Sequence, residues 1–321
     1  MLSVLLITFP FFALVLCGYL AARRGVLPQP AIPGLNAFVL YFALPCMLYR
    51  FGATTPIAQL LDANVLVVWL LCAMVMVGFA VAISLNRRIG WNDASFGALV
   101  AAFPNTGFMG VPLLVALLGA QAAGPIIVTI MVDMVVTTSL CIALSRLDGA
   151  DAHGASKAAK KALRGVVGNP MPWAILLGAL ASATDLTWPG PVDKTVGLLA
   201  DAASPVALFT IGAVLARSHI MAIVSHHAPI PLVDYLPMAA LKLFLHPLLV
   251  LLVGAGAIQL GLPLDRFVLT VLVLVAALPS ASNVSLLAER FGADNGRIAR
   301  IILVSTAAAF VTFSMAVSGL T

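Results

Sequence analysis

Long uncharged apolar runs recur along this chain, and they limit its fold more than any other feature. A helix needs about 20 mostly apolar residues to cross roughly 30 Å of hydrocarbon. Read that way, the chain carries ten segments: 2–22, 34–51, 63–85, 94–118, 123–146, 170–185, 193–216, 232–253, 266–288 and 297–319. A water-soluble domain carries about 25% charged residues. Here 9% are charged and 62% hydrophobic, with a mean hydropathy of +1.11. So few charges cannot cover so much apolar surface in water. Backbone groups in lipid must also bond within their own element, so the sequence specifies an all-α polytopic membrane protein. Arg23 and Arg24 follow the first run instead of preceding it. That order, with the length of the run, argues for a retained helix over a signal peptide.

The seventeen Lys and Arg set the orientation. Thirteen fall in the odd-numbered connections: Arg23, Arg24, Arg87, Arg88, Arg146, Lys157, Lys160, Lys161, Arg164, Arg217, Arg290, Arg297 and Arg300. The opposite side holds three, Arg50, Lys194 and Arg266, and Lys242 lies within a span. Positive loops face the cytoplasm. Both termini are therefore placed on the non-cytoplasmic side of the inner (plasma) membrane. Topology accounts for the net charge of +5, and nucleic acid is not read as a partner. Cys17, Cys46, Cys72 and Cys141 sit in apolar segments without a CxxC pair, as small buried residues do.

The halves of the chain resemble each other. ALPCMLYRFG (43–52) in the second segment matches ASPVALFTIG (203–212) in the seventh. AAFP (101–104) with LLVALLGAQ (113–121) matches AALP (276–279) with LLAERFGAD (286–294). The fifth and tenth segments share IIVTI and IILVS starts. An odd number of spans per copy inverts the second copy in the membrane, which is the plan of secondary transporters. The division reads as a first five-helix repeat (1–146), a basic cytoplasmic loop (147–169) and a second five-helix repeat (170–321).

Helix breakers stand inside two matched segments. AAFPNTGFMGVPLL (101–114) places Pro104, Gly107, Gly110 and Pro112 around Asn105 and Thr106. ALPSASNVS (277–285) places Pro279, Ser280, Ser282 and Asn283 at the corresponding point. Paired interruptions in matching positions are the best sequence pointer to a transporter's binding site. Amides freed at a break offer donors to an anion, and Asn105, Thr106, Ser280, Ser282 and Asn283 add neutral hydrogen bonds. Against this stands the plainer reading that the prolines only kink packing helices.

Asp133 falls in the middle of the fifth span, where an ionisable residue is expensive and marks a functional site by default. Two readings stay open: it carries a proton or helps hold a cation, or it is paired structurally, with Lys242 as the nearest choice. Lys242 and His246 are four residues apart on one helical face, and Pro247 follows them. Lys242 can neutralise Asp133, contact a carboxylate or snorkel to the surface. His219, His226 and His227 lie on the cytoplasmic side, where a solvated loop explains them better than a metal site. No cofactor is called for beyond coupling to H+ or Na+.

The chain resembles the auxin efflux carrier family, which includes plant PIN carriers and bacterial permeases commonly assigned to malonate or malate. GLNAFVLYFALP (34–45), PNTGFMGVPLL (104–114), LADAASPVALFTIG (199–212), KLFLHP (242–247) and ALPSASNVSLLAERFGAD (277–294) carry the resemblance. The serine-rich ninth segment is closer to the bacterial branch, and an acid at Asp133 departs from the pattern. The resemblance implies ten helices as two inverted repeats, similar to sodium/proton antiporters and bile acid carriers. Broken helices four and nine cross there within a transport domain, and helices one, two, six and seven form a scaffold. It further implies an elevator motion, a homodimer in the lipid bilayer and a small organic acid as substrate. Pro104 and Asn105 with Pro279 and its serines form the anion-binding crossing, and Asn36 and Asp201 face the substrate from the scaffold.

The reading is a secondary carrier of small organic anions, a dicarboxylate such as malonate first. The alternatives are an auxin-like monocarboxylate efflux carrier and a cation/proton antiporter using Asp133. No HExxH or GxSxG motif points to an enzyme.

Overall fold

The computed structural model describes residues 2–56, 62–147, 170–224 and 230–320. Most of the basic loop at 147–169 and the pair His226–His227 lie outside the described residues. The helices are α1 (Leu2–Arg23), α2 (Gln29–Thr54), α3 (Ala63–Ser84), α4 (Trp91–Ala102), α5 (Thr106–Leu118) and α6 (Ala120–Leu144). They continue with α7 (Pro170–Thr184), α8 (Gly190–Val224), α9 (Leu232–Gln259), α10 (Arg266–Ala277), α11 (Val284–Phe291) and α12 (Asn295–Leu320). No strand occurs among the described residues. Six helices, α2, α3, α6, α8, α9 and α12, are long and apolar enough to cross a membrane by length and composition. The fourth and ninth apolar segments are each split into two helices, α4 with α5 and α10 with α11.

Helix α3 illustrates why this chain belongs in lipid. One face, with Val65, Val68, Trp69, Cys72, Met76 and Ala80, is buried. The other side exposes Leu66, Val67, Leu71, Met74 and Val75. A helix apolar on both faces needs an apolar solvent outside the protein. The chain is a multi-pass helical membrane protein.

Local chemistry shapes the helices. The backbone widens into π turns at Val39–Ala43, Thr106–Gly110 and Leu241–Leu245, and Pro45, Pro112 and Pro247 follow them within two residues. Proline lacks the N–H and crowds the carbonyl one turn back, and a wider turn relieves both. Pro247 therefore widens its helix without ending it. A fourth π turn, Asp133–Thr137, has no proline after it, and the Thr138 hydroxyl donates to the Asp133 carbonyl at 2.8 Å.

The described chain forms two compact units, each drawn from both halves of the sequence. One comprises Met1–Asp62, Gly107–Val128 and Asn169–His227. In it α1 packs on α8, and α2 on α7 and α8. Gly18 meets the Phe209 backbone and Gly212 meets the Val15 carbonyl so closely that neither site has room for a methyl group. Small residues let membrane helices approach in this way. Gly52 and Gly178 do the same between α2 and α7.

The other unit comprises Ala63–Thr106, Thr129–Gly168 and Ala228–Thr321. In it α3 packs on α4 and α9, α9 on α10 and α12, and α11 on α12. The buried Arg297 ties its helix ends together. Its Nε donates to the Asp234 carbonyl at 2.6 Å and one terminal nitrogen to the Asp93 carbonyl at 2.8 Å. Asp294 accepts from the Arg297 backbone, and Asp93 accepts from the Asp294 backbone.

Candidate functional site

Helix α4 ends at Ala102 and α10 ends at Ala277, and the two breaks that follow meet each other inside one unit. Pro104 and Ser280 form an isolated antiparallel bridge. The Asn105 N–H donates to the Pro279 carbonyl at 2.8 Å, and the Ala281 N–H donates to the Phe103 carbonyl at 2.9 Å. Each break thus takes up a donor and an acceptor that the other one freed. The Ser280 N–H donates to Ser305 Oγ of α12 at 3.2 Å, while Pro104 opposite it has no N–H to satisfy. The Thr106 N–H turns back to the Pro104 carbonyl at 2.8 Å.

This geometry corrects one expectation. The freed amides of Asn105, Ser280 and Ala281 are not left over for an anion, because burying an unpaired amide costs more than pairing it across the crossing. Side-chain atoms do remain open. Asn105 Oδ1, Ser280 Oγ and Asn283 Oδ1 are buried and have no hydrogen-bond partner among the described residues. An amide with an unpartnered oxygen has nothing to fix its orientation, so Asn105 can turn its NH2 toward an acceptor. A serine hydroxyl rotates just as freely. Asn105 is 2% exposed and Ser280 fully buried, so the pair offers donors in a place from which water is largely excluded.

The other expected residues divide clearly. Thr106 is buried with its hydroxyl near the Pro104 carbonyl at 3.4 Å. Gly107 stands in the π turn that starts α5, Ser282 is half-buried, and Asn283 precedes α11. Gly107, Asn36 and Asp201 lie in the other unit. Asn36 is half-buried in α2. Asp201 accepts from Arg50 at 2.8 Å in an ion pair with both side chains well exposed.

Asp133, Lys242 and His246 share the unit that holds the crossing, and all three are buried. Asp133 Oδ1 accepts from Trp69 Nε1 at 3.1 Å and from the Thr137 hydroxyl at 3.0 Å, and Oδ2 has no partner among the described residues. Lys242 Nζ lies 2.9 Å from His246 Nδ1 and donates to the Ala276 carbonyl at 2.9 Å. An ammonium has no lone pair, so His246 accepts at Nδ1. The indole ring of Trp69 and the His246 ring lie 5.4 Å apart. No ion pair joins Asp133 to Lys242 among the described residues. Burial also removes the snorkelling reading: Lys242 is fully enclosed.

Sequence reasoning missed Ser305 and Trp69. A serine in an apolar helix usually bonds back to its own helix, as Ser305 also does to Ile302, so nothing marked it. Trp69 did carry a signal. Membrane tryptophans gather at the interfaces, and this one stands inside a span.

A polytopic helical membrane protein whose two helix breaks pair across each other is the class that fold and site define. Within it, the family model described as "Membrane transport protein" matches residues 4–317. The chain belongs to that family, and the expected likeness to auxin efflux carriers holds. It is 29% identical over 298 residues to a Rhizobium meliloti (strain 1021) protein named "Putative malonate transporter", covering 92% of this chain and 89% of that one. An uncharacterised transporter of Escherichia coli (strain K12) is 28% identical over 291 residues, 88% of this chain and 86% of the other. Auxin efflux carrier component 8 of Arabidopsis thaliana is 25% identical over 261 residues, 65% of this chain and 71% of the plant protein. The chain is a membrane transporter.

Proposed function

We propose that this transporter is a secondary carrier of small organic anions, with a short dicarboxylate such as malonate as its substrate, bound where the two helix breaks cross. The observation that carries the reading is the set of buried, unpartnered side-chain atoms at the crossing, Asn105 Oδ1, Ser280 Oγ and Asn283 Oδ1. The Ser280 hydroxyl, and the Asn105 and Asn283 amides turned NH2-first, can donate to a carboxylate, and buried polar atoms without partners are otherwise costly. The relative named for malonate adds a substrate class of the right size and charge.

Ten spans arranged as two inverted five-helix repeats, with both termini outside the cytoplasm, accord with the matched breaks and the distribution of Lys and Arg. The substrate moves by an elevator-type alternating-access motion, in which the helices that carry the crossing travel against α1, α2, α7 and α8. In support, α1, α2, α7 and α8 belong to one compact unit and the paired breaks at Pro104–Thr106 and Pro279–Ala281 to the other, while Gly107–Val128 groups with the former. On this reading Asn36 and Asp201 bear on the substrate's path from the scaffold, and the carrier works as a homodimer in the plasma membrane. The surroundings of Asp133 argue against a cation/proton antiporter, because the groups that reach its carboxylate are donors, and a metal cation needs oxygen acceptors.

Uptake and efflux of labelled malonate, malate and indole acetate in proteoliposomes test the proposal. Malonate flux that exceeds the other two and falls sharply in Asn105→Ala is the expected result. Movement of none of the three, with unchanged thermal stability in their presence, ends it.

A further inference from the structure

We infer that Asp133 is a proton-binding site, set in one buried polar chain with Trp69, His246 and Lys242, and that its proton is taken up together with the anion at the crossing. The coupling half of this inference rests on the organic-anion reading above; the proton site itself does not.

The chain runs from α6 to the crossing. Trp69 of α3 holds Asp133 Oδ1 through its indole N–H and lies against the His246 ring of α9. His246 Nδ1 faces Lys242 Nζ, which donates to the Ala276 carbonyl in the last turn of α10. Three residues further on, the Pro279 carbonyl takes the Asn105 N–H. Asp133, Trp69 and Lys242 are fully buried and His246 is 1% exposed.

The geometry selects a proton over a metal ion. Oδ1 already accepts two hydrogen bonds, from an N–H and an O–H, while Oδ2 is unpartnered among the described residues. A proton added to Oδ2 leaves both bonds to Oδ1 in place. With Lys242 as an ammonium, its two acceptors, His246 Nδ1 and the Ala276 carbonyl, stay in place. No group of three His, Cys, Asp or Glu residues able to hold a metal occurs among the described residues, and the nearby ammonium repels a cation. The proton comes from water and returns to it, and Asp133 with Lys242 alternates between net zero and net +1.

The link to the crossing follows from where Lys242 ends. Its charge sits on a carbonyl at the C-terminal end of α10, where the helix dipole favours a cation. When Asp133 is ionised it offsets that charge; when it is protonated the charge is uncompensated and attracts an anion. By reciprocity a bound anion favours the proton to the same degree. The other titratable groups around the pair are few. Cys141 lies on the same helix as Asp133 and is buried. His246 faces Lys242, and Cys72 lies within α3. On α4, α9, α10 and α12 the remaining charges, Asp93, Asp234, Arg266, Arg297 and Arg300, stand at or near the helix ends.

Infrared difference spectroscopy of the ligand-free protein in lipid, titrated from alkaline to acid pH, tests the site. A protonated-carboxyl C=O band should grow as pH falls and be lost in Asp133→Asn. Trp69→Phe keeps the carboxyl but removes one donor to the C=O, so it should move the band to higher wavenumber; this arm stands even where Asp133→Asn fails to fold. Absence of the band, its survival in Asp133→Asn or its indifference to Trp69→Phe overturns the proton site. Malonate should then raise the band at fixed pH. Its affinity should strengthen by about tenfold per pH unit on acidification beyond the dependence left in Asp133→Asn, as one coupled proton requires. Malonate that binds without moving the band overturns the coupling and leaves the carrier reading intact. Failure of malonate, malate and indole acetate to bind at any pH ends the carrier reading, and with it the coupling, while the ligand-free titration still decides the proton site.

Discussion

Asn105 donates its backbone N–H to the Pro279 carbonyl at 2.8 Å, and so joins two helix breaks that lie far apart in the sequence. Because the Asn105, Ser280 and Ala281 amides are paired, the side chains beside them are what a ligand can engage. Asn105→Ala is therefore expected to spare the fold and remove ligand contacts. A hydrogen bond to a charged group is worth about 1.5–3 kcal/mol, so malonate affinity should drop by roughly ten- to hundredfold. Calorimetric titration against wild type, with melting temperatures measured alongside, checks both halves; equal affinity would count against the crossing as the binding site.

Ser305 takes the Ser280 N–H, which faces a proline across the bridge and finds no acceptor there. Ser305→Ala should leave the Ser280 amide buried and unpaired, at a cost of about 1–3 kcal/mol. A lower melting temperature is expected, with Ser305→Thr, which keeps the hydroxyl, closer to wild type. The same melting temperature in all three proteins would show that the bond contributes nothing.

Arg297 ties helix ends together within its unit. Replacing it with Met keeps much of the apolar stem but strands the Asp93 and Asp234 carbonyls that it now satisfies. Each stranded buried group costs about 1–3 kcal/mol. Arg297→Met should unfold at clearly lower temperature in detergent, and so should Arg297→Lys, since an ammonium cannot reproduce the guanidinium fork.

Two glycines give opposite signs. A methyl group at Gly212 would run into the Val15 carbonyl of α1, whereas one at Gly256 in α9 meets nothing within 4 Å. Gly212→Ala should destabilise by about 1–3 kcal/mol, as overpacking does. Gly256→Ala should be neutral or stabilising by up to about 1 kcal/mol, from helix propensity. Thermal unfolding of the two variants side by side decides it.

The Arg50–Asp201 pair is well exposed, and exposed ion pairs contribute about 0–1 kcal/mol. Asp201→Asn should barely move the melting temperature. A marked loss of malonate transport in that variant would place Asp201 on the substrate's path; unchanged transport would remove it from the site.

Much of this protein was legible in the sequence because lipid leaves a chain few options. Apolar runs had to be helices, Pro104 and Pro279 marked matched interruptions in them, and Asp133 and Lys242 stood out as ionisable residues within spans. The likeness of AAFP to AALP marked both breaks as a pair. What the sequence could not say was how a break would satisfy its backbone, since that depends on groups far along the chain. Tertiary structure decided that Asn105 and Ala281 bond across to Pro279 and Phe103, that Ser305 receives the Ser280 N–H, and that Lys242 turns to His246 and Ala276 and not to Asp133. Periodicity assigns a residue to a face of its own helix, but hydrogen-bond partners are chosen by distance and direction, which exist only once helices pack.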